Sequence, residues 1–141
     1  LWCLLSAPLL IGCDMADVDD FTMNLLTNNE VLAVNQDPLV MPAKKNIVKN
    51  GQIWTKKLHD GSYAVGLFHV DPYFVLWDQN DAEAKQLRDY SMELNLKQLG
   101  IKGKATVRDL WRQQDLGEVS GKFRTEVPYH GVKFVKVTPC K

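Results

Sequence analysis

Asp14, Asp17, Asp19 and Asp20 crowd into one short stretch, CDMADVDD, and are the first side chains to weigh for acid–base or nucleophilic work. Cleaving a glycosidic bond with retention needs two carboxyl groups about 5 Å apart, one as nucleophile and one as acid/base. Asp14 follows the apolar run Leu9-Leu10-Ile11, and after a strand of an α/β barrel that place faces the active-site mouth. No second acid is independently placed opposite it. The plainer role for Asp14 is to cap the strand-to-helix loop by accepting from backbone N–H groups. Asp17, Asp19 and Asp20 read better as acids that complement a helix N-terminus.

The other reactive residues are scattered. His59, His69 and His130 fall in a turn, a strand and a turn, none with a ligand-spaced companion, so a zinc site has no support. Ser6 and Ser62 lack the setting of a nucleophile elbow. Gly100 and Gly103 bound a turn with Lys102 and Lys104, and Gly117 and Gly121 bound another, so no glycine loop cradles a phosphate. Trp54, Tyr63, Phe68, Tyr73, Phe74, Trp77 and Trp111 could stack on sugars, but aromatics in strands of a small sandwich belong mostly to the core. The dense run Asp71 to Trp77 is expected at an interface between two parts of the molecule.

The chain has 141 residues, 45% of them hydrophobic, which allows a packed core. Its 17 basic and 17 acidic residues cancel without forming blocks, which excludes an electrostatic grip on nucleic acid or a membrane surface. Cys3, Cys13 and Cys140 are too few for a disulfide scaffold, and their pairing stays open. The chain opens on Leu1 rather than Met, which implies residues upstream.

Two architectures succeed one another. LWCLLSAPLLIGC, residues 1–13, reads either as the apolar part of a leader, with LIGC resembling a lipidation box at Cys13, or as a helix end followed by a strand buried on both faces at Leu9-Leu10-Ile11. Asp19 is a plausible N-cap accepting from Phe21 or Thr22, and Phe21, Leu25 and Leu26 form an apolar face. A second short helix spans Asn29 to Val34, with Val31 and Val34 on one side, and Pro38 ends it. Residues 39–50 form a polar connector. From Gln52 the period becomes two, with strands at Ile53 to Leu58, Tyr63 to His69, Met92 to Leu96, Ala105 to Trp111, Lys122 to Val127 and Val132 to Val137. Asp60-Gly61 suits a type I′ hairpin, which would set Trp54 opposite Leu67 and Leu58 opposite Tyr63. Short strands with regular turns imply an antiparallel sandwich. Residues 78–90 interrupt it with a polar excursion.

Three stretches in this order resemble the melibiase-type α-galactosidases, glycoside hydrolase clan D, family 27. They are LWCLLSAPLLIGCDM (1–15), LLTNNEVLAVNQDPL (25–39) with Asn35-Gln36-Asp37-Pro38, and VRDLWRQQDLG (107–117) followed by VPYHGVKFVKVTP (127–139). The resemblance implies a mainly β chain: the last strand-helix unit of a (β/α)8 barrel in residues 1–43, then a Greek-key antiparallel β-sandwich in residues 44–141. The Asp71 to Tyr90 region looks longer than is usual there. The resemblance favours barrel over leader for the apolar opening. It implies a retaining hydrolase of terminal α-D-galactosides that uses no cofactor or metal, favours an extracytoplasmic place, and leaves room for a homo-oligomer. The family's two catalytic aspartates sit in earlier motifs of the YDY and WNDPD kind, absent here, so no catalytic residue carries over and the chain alone is expected to be inactive. Residues separating galactose from N-acetylgalactosamine lie upstream as well. The alternative is a lipoprotein-anchored sandwich that binds glycans without catalysis. A barrel remnant without its neighbours should expose Leu9, Leu10 and Ile11.

Overall fold

The computed structural model describes residues 1–48, 51–70, 89–128 and 130–140, without the side chains of residues 89 and 90. Two short helices come first, α1 (Asp20–Leu26) and α2 (Asn29–Asn35). Eight strands follow among the described residues: β1 (Lys44–Val48), β2 (Gly51–Lys57), β3 (Tyr63–Phe68), β4 (Asp89–Asn95), β5 (Lys104–Asp109), β6 (Gln114–Ser120), β7 (Lys122–Pro128) and β8 (Val132–Pro139). A six-stranded sheet has the order β1-β2-β3-β8-β5-β6, and β4 pairs with β7 in a second, smaller sheet. Every pairing is antiparallel. This is the expected mainly β sandwich.

Alternation explains the core. Ile53, Val65, Leu67, Val107, Val135 and Val137 of the large sheet meet Met92, Leu94, Phe123 and Val127 of the small one. A strand face that buries such a row is held by the transfer of apolar surface, roughly 25 cal/mol per Å². The outer face of the large sheet is also covered. Ala64, Phe134, Leu58 and Leu110 pack there against Leu4, Val31 and Val34 of the amino-terminal segment. The central strands are therefore buried on both sides, and β3 reads as a nearly continuous apolar run for that reason.

The β2–β3 hairpin departs from its expected register by one residue. Ile53, not Trp54, stands opposite Leu67, Trp54 stands opposite Gly66, and Lys57 opposite Tyr63. Of the Asp60-Gly61 pair only Gly61 takes positive φ, at 85°. Asp60 instead turns its carboxylate onto the amide and hydroxyl of Ser62, while Gly61 N donates to Leu58 O at 3.1 Å. A two-residue type I′ turn is thus replaced by a longer loop closed by an Asx contact. One slipped residue exchanges the faces of a strand, so Trp54 lies outward and Ile53 inward.

Two strands lie where only connectors or turns were expected, β1 and β6. Both are edges of the large sheet and mostly exposed, so they carry no burial pattern to read. Conversely, the strand expected at Leu9-Leu10-Ile11 does not form. Residues 7–12 are irregular, and Leu10 is 91% exposed. A strand needs partners on its edges, and none lies beside this one among the described residues. The helices follow their signals: Asp19 accepts from Thr22 N at 2.7 Å, and Val31 and Val34 are the buried residues of α2. The apolar side of α1, with Phe21 and Leu25, is exposed.

Candidate functional site

The aspartate cluster does not assemble a catalytic pair. Asp14 Oδ1 accepts from Ala16 N at 2.9 Å, the local loop-capping role. Asp19 is spent on α1. Together with Cys13, Asp17, Val18 and Thr22 these residues line an open depression of about 400 Å³. Among the described residues no group of His, Cys, Asp and Glu could hold a metal ion. His59 lies against Asp37, and buried His69 has its Nδ1 3.2 Å from Val127 O; neither meets the other. Cys3, Cys13 and Cys140 are free thiols. Of the aromatics, Trp54 and Phe68 border the outer cluster and Tyr63 the inner one, while Trp111 sits with its ring centroid 6.3 Å from that of Phe134. Tyr73, Phe74 and Trp77 lie outside the described residues.

What the chain does assemble is a polar seam that fastens the amino-terminal segment to the outer face of the large sheet. At the start of α2, Asn28 caps Glu30 N and Val31 N with its Oδ1, each at 3.1 Å. Its Nδ2 donates to Leu110 O at 3.0 Å in the turn after β5. Gln113 of the same turn donates to Asn29 Oδ1 at 2.8 Å. Arg108 closes a two-pronged pair on Glu30, with Nε to Oε2 at 2.8 Å and Nη2 to Oε1 at 2.7 Å, and gives Nη1 to Asp115 at 2.9 Å. That fork geometry fixes direction as well as charge, and the two acids hold the guanidinium above its ordinary pKa.

Asp109 organises the turn that receives α2. Its buried carboxylate accepts from Trp111 N at 3.1 Å, Arg112 N at 3.0 Å and Lys133 Nζ at 2.6 Å. Burial pushes its pKa up most strongly, but the Lys133 and Arg112 bonds outweigh it and hold the carboxyl below the usual range.

At the far end of α2, Pro38 stops the helix and Asp37 turns inward. Burial again raises its pKa, and donors again win: His59 N at 3.0 Å and Leu39 N at 3.1 Å, with His59 Nδ1 2.8 Å from the same oxygen that the His59 amide meets. Lys56 lies next to this corner, wholly buried, with Nζ donating to Val34 O at 2.7 Å and to Ser6 Oγ. Neither Lys56 nor the Glu30–Arg108 pair was singled out from sequence. Lys56 shares the outward face of β2 with Trp54, and a lysine at such a register is indistinguishable from a solvated one until something covers the face.

Among the described residues, then, there is no catalytic constellation. These features define a class: an antiparallel β-sandwich domain that serves as the platform for a packed helical segment. Residues 48–137 match the alpha galactosidase C-terminal beta sandwich domain, and the chain belongs to that family. Along 99% of its length it is 34% identical to an alpha-galactosidase of Cyamopsis tetragonoloba and 34% identical to one of rice, Oryza sativa subsp. japonica, covering 31% and 30% of those proteins. Among solved structures, alpha-galactosidase I of Mortierella vinacea superposes with a TM-score of 0.80 at 25% identity, over 99% of this chain and 34% of that one. A GH27 β-L-arabinopyranosidase of Geobacillus stearothermophilus gives 0.81 at 28%, over 99% and 28%. The chain spans about a third of the length of these relatives. Among the described residues no helix is long and apolar enough to cross a membrane.

Proposed function

We propose that this chain is the C-terminal part of a retaining α-galactosidase that hydrolyses terminal α-D-galactosides. Residues 1–43 are the end of its catalytic barrel and residues 44–141 the sandwich that braces it. The observation that carries this reading is similarity along nearly the whole chain to enzymes named alpha-galactosidase, helical segment included. The seam supports it: Glu30–Arg108, Asn28–Leu110 and Asp37–His59 fix the barrel end on the sandwich. Among the described residues no two acids are set as a catalytic pair, which supports a bracing part for this chain, with the galactoside bound and cleaved by the complete enzyme. The extracytoplasmic place favoured by the resemblance goes with this reading.

Two measurements test it. Reading the coding sequence upstream of Leu1 is expected to show a long body of βα repeats; a short leader with Met and basic residues would overturn the proposal in favour of an anchored glycan-binding module. The 141-residue chain is expected to leave a chromogenic α-galactoside intact, whereas the extended product turns it over. Robust turnover by the short chain would refute the bracing role. The arabinopyranosidase likeness makes the β-L-arabinopyranoside the proper comparison substrate, and its exclusive turnover would replace galactoside as the substrate.

A further inference from the structure

We infer that Lys56 is a buried latch whose ammonium group holds the amino-terminal segment onto the outer face of the sandwich. It lies in β2, 0% exposed, beside the solvent-facing Lys57. A buried lysine requires compensation for its lost hydration, and here it comes from one side only. Its nitrogen meets Val34 O at 2.7 Å, Ser6 Oγ at 2.5 Å and Cys3 O at 3.4 Å. An ammonium has three N–H donors, and these three acceptors take all of them. None belongs to the sandwich. Val34 O is one of the carbonyls left without a partner in the last turn of α2, where a cation also meets the negative end of the helix dipole.

Two further features converge on the same point. Ser6 stands at φ 52°, a left-handed backbone that a non-glycine residue keeps only where its surroundings impose it, and there its hydroxyl reaches Lys56. Asp37 lies within electrostatic range of the ammonium and is kept ionised by the His59 and Leu39 donors. Leu4, between Cys3 and Ser6, enters the outer core, and its carbonyl accepts from Ala43 N at 2.9 Å. One side chain of the sheet therefore sets the position of residues 1–6, the end of α2 and, through Leu4, the connector into β1. The inference concerns contacts within this chain and does not depend on the sugar chemistry proposed above, so it can fail while that proposal stands, and the reverse.

Amide hydrogen exchange on the 141-residue chain tests it, with Leu5, Ala7 and Ala43 as reporters of the segment and Val65 and Val135 as reporters of the sheet. In Lys56→Met the reporters of the segment are expected to exchange about tenfold faster or more, the scale of a lost charged hydrogen bond, with the sheet amides unchanged. Ser6→Gly removes one acceptor while suiting the left-handed backbone, and should accelerate the same amides less. Unchanged exchange in Lys56→Met, or a rise shared equally by Val65 and Val135, would overturn the latch. Should Lys56→Met fail to fold, Ser6→Gly decides: local acceleration upholds the latch, and none refutes it.

Discussion

Lys133 Nζ lies 2.6 Å from Asp109 Oδ2, joining β8 to β5 through a carboxylate that is 1% exposed. The same carboxylate holds the turn that receives Asn28, so one buried charge serves both the sheet and the seam. Removing one partner of a buried pair strands the other. Asp109→Ala is therefore expected to cost about 3 kcal/mol. Lys133→Met leaves the carboxylate its backbone donors and should cost less, about 1–2 kcal/mol. Urea unfolding measures both as shifts of midpoint at constant slope. Equal losses would show that the lysine, not the turn, is what the carboxylate serves.

The sandwich was legible because its strands alternate: Ile53, Met92, Leu94 and Val107 point inward at period two, and all are buried. The α2 segment was legible from Val31, Val34 and Pro38. The seam was not. Glu30 and Arg108 are 78 residues apart in sequence, and each reads locally as a surface charge. The register of β2 on β3 was misread because Asp-Gly suits a type I′ turn, whereas the Asp60 side chain prefers the Ser62 amide. Leu9 to Ile11 reads as a buried strand on composition, but only neighbouring strands could make it one.

Acid should loosen the protein at identifiable carboxylates. Asp37 and Asp109 are buried and Asp60 lies at the surface; desolvation raises the pKa of each, yet donors outweigh it and hold all three below the ordinary range: His59 and Leu39 for Asp37, Lys136 and Ser62 for Asp60, Lys133 and Arg112 for Asp109. A carboxyl with a folded pKa below its unfolded value binds fewer protons when folded. Its contribution is complete above the unfolded value, about 4, and fades as pH falls through the depressed value. Melting temperature is thus expected to fall steadily below about pH 4. Asp37→Asn should lower the neutral-pH plateau and make the acid limb shallower. A limb as steep as that of the parent protein would remove Asp37 from this account.

Three glycines should respond to alanine in a fixed order. A Cβ at Gly51 would stand 2.5 Å from Phe68 O, a backbone atom that cannot move without parting β2 from β3. At Gly66 it would stand 2.7 Å from Leu4 Cδ1 and 2.6 Å from Phe68 Cε2, side-chain atoms that can partly yield. At Gly103 it would meet nothing within 4 Å, at a φ outside the left-handed region. Overpacking predicts losses of about 3 kcal/mol for Gly51→Ala and about 1–2 kcal/mol for Gly66→Ala. Gly103→Ala should gain about 0.5 kcal/mol by restricting the unfolded chain. Denaturant midpoints rank the three, and a Gly66 variant costlier than Gly51 would contradict the register of this hairpin.

The exposed apolar surface of residues 9–25 should be separable from stability. Leu10 is 91% exposed, Phe21 74% and Ile11 59%, and none belongs to either buried cluster. Exposed apolar side chains of this kind invite association, yet they make little packing contribution that folding of the chain could lose. The triple replacement Leu10→Ser, Ile11→Ser and Phe21→Ser is expected to leave the unfolding midpoint within about 0.5 kcal/mol of the parent. It should also reduce binding of a hydrophobic dye and shift sedimentation towards the monomer. A large loss of stability would mean that these residues are buried in solution, folded against the sandwich or a second copy. A stable triple variant with undiminished dye binding would place the sticky surface elsewhere, with Ile47, Trp2 and Val40 the next most exposed candidates.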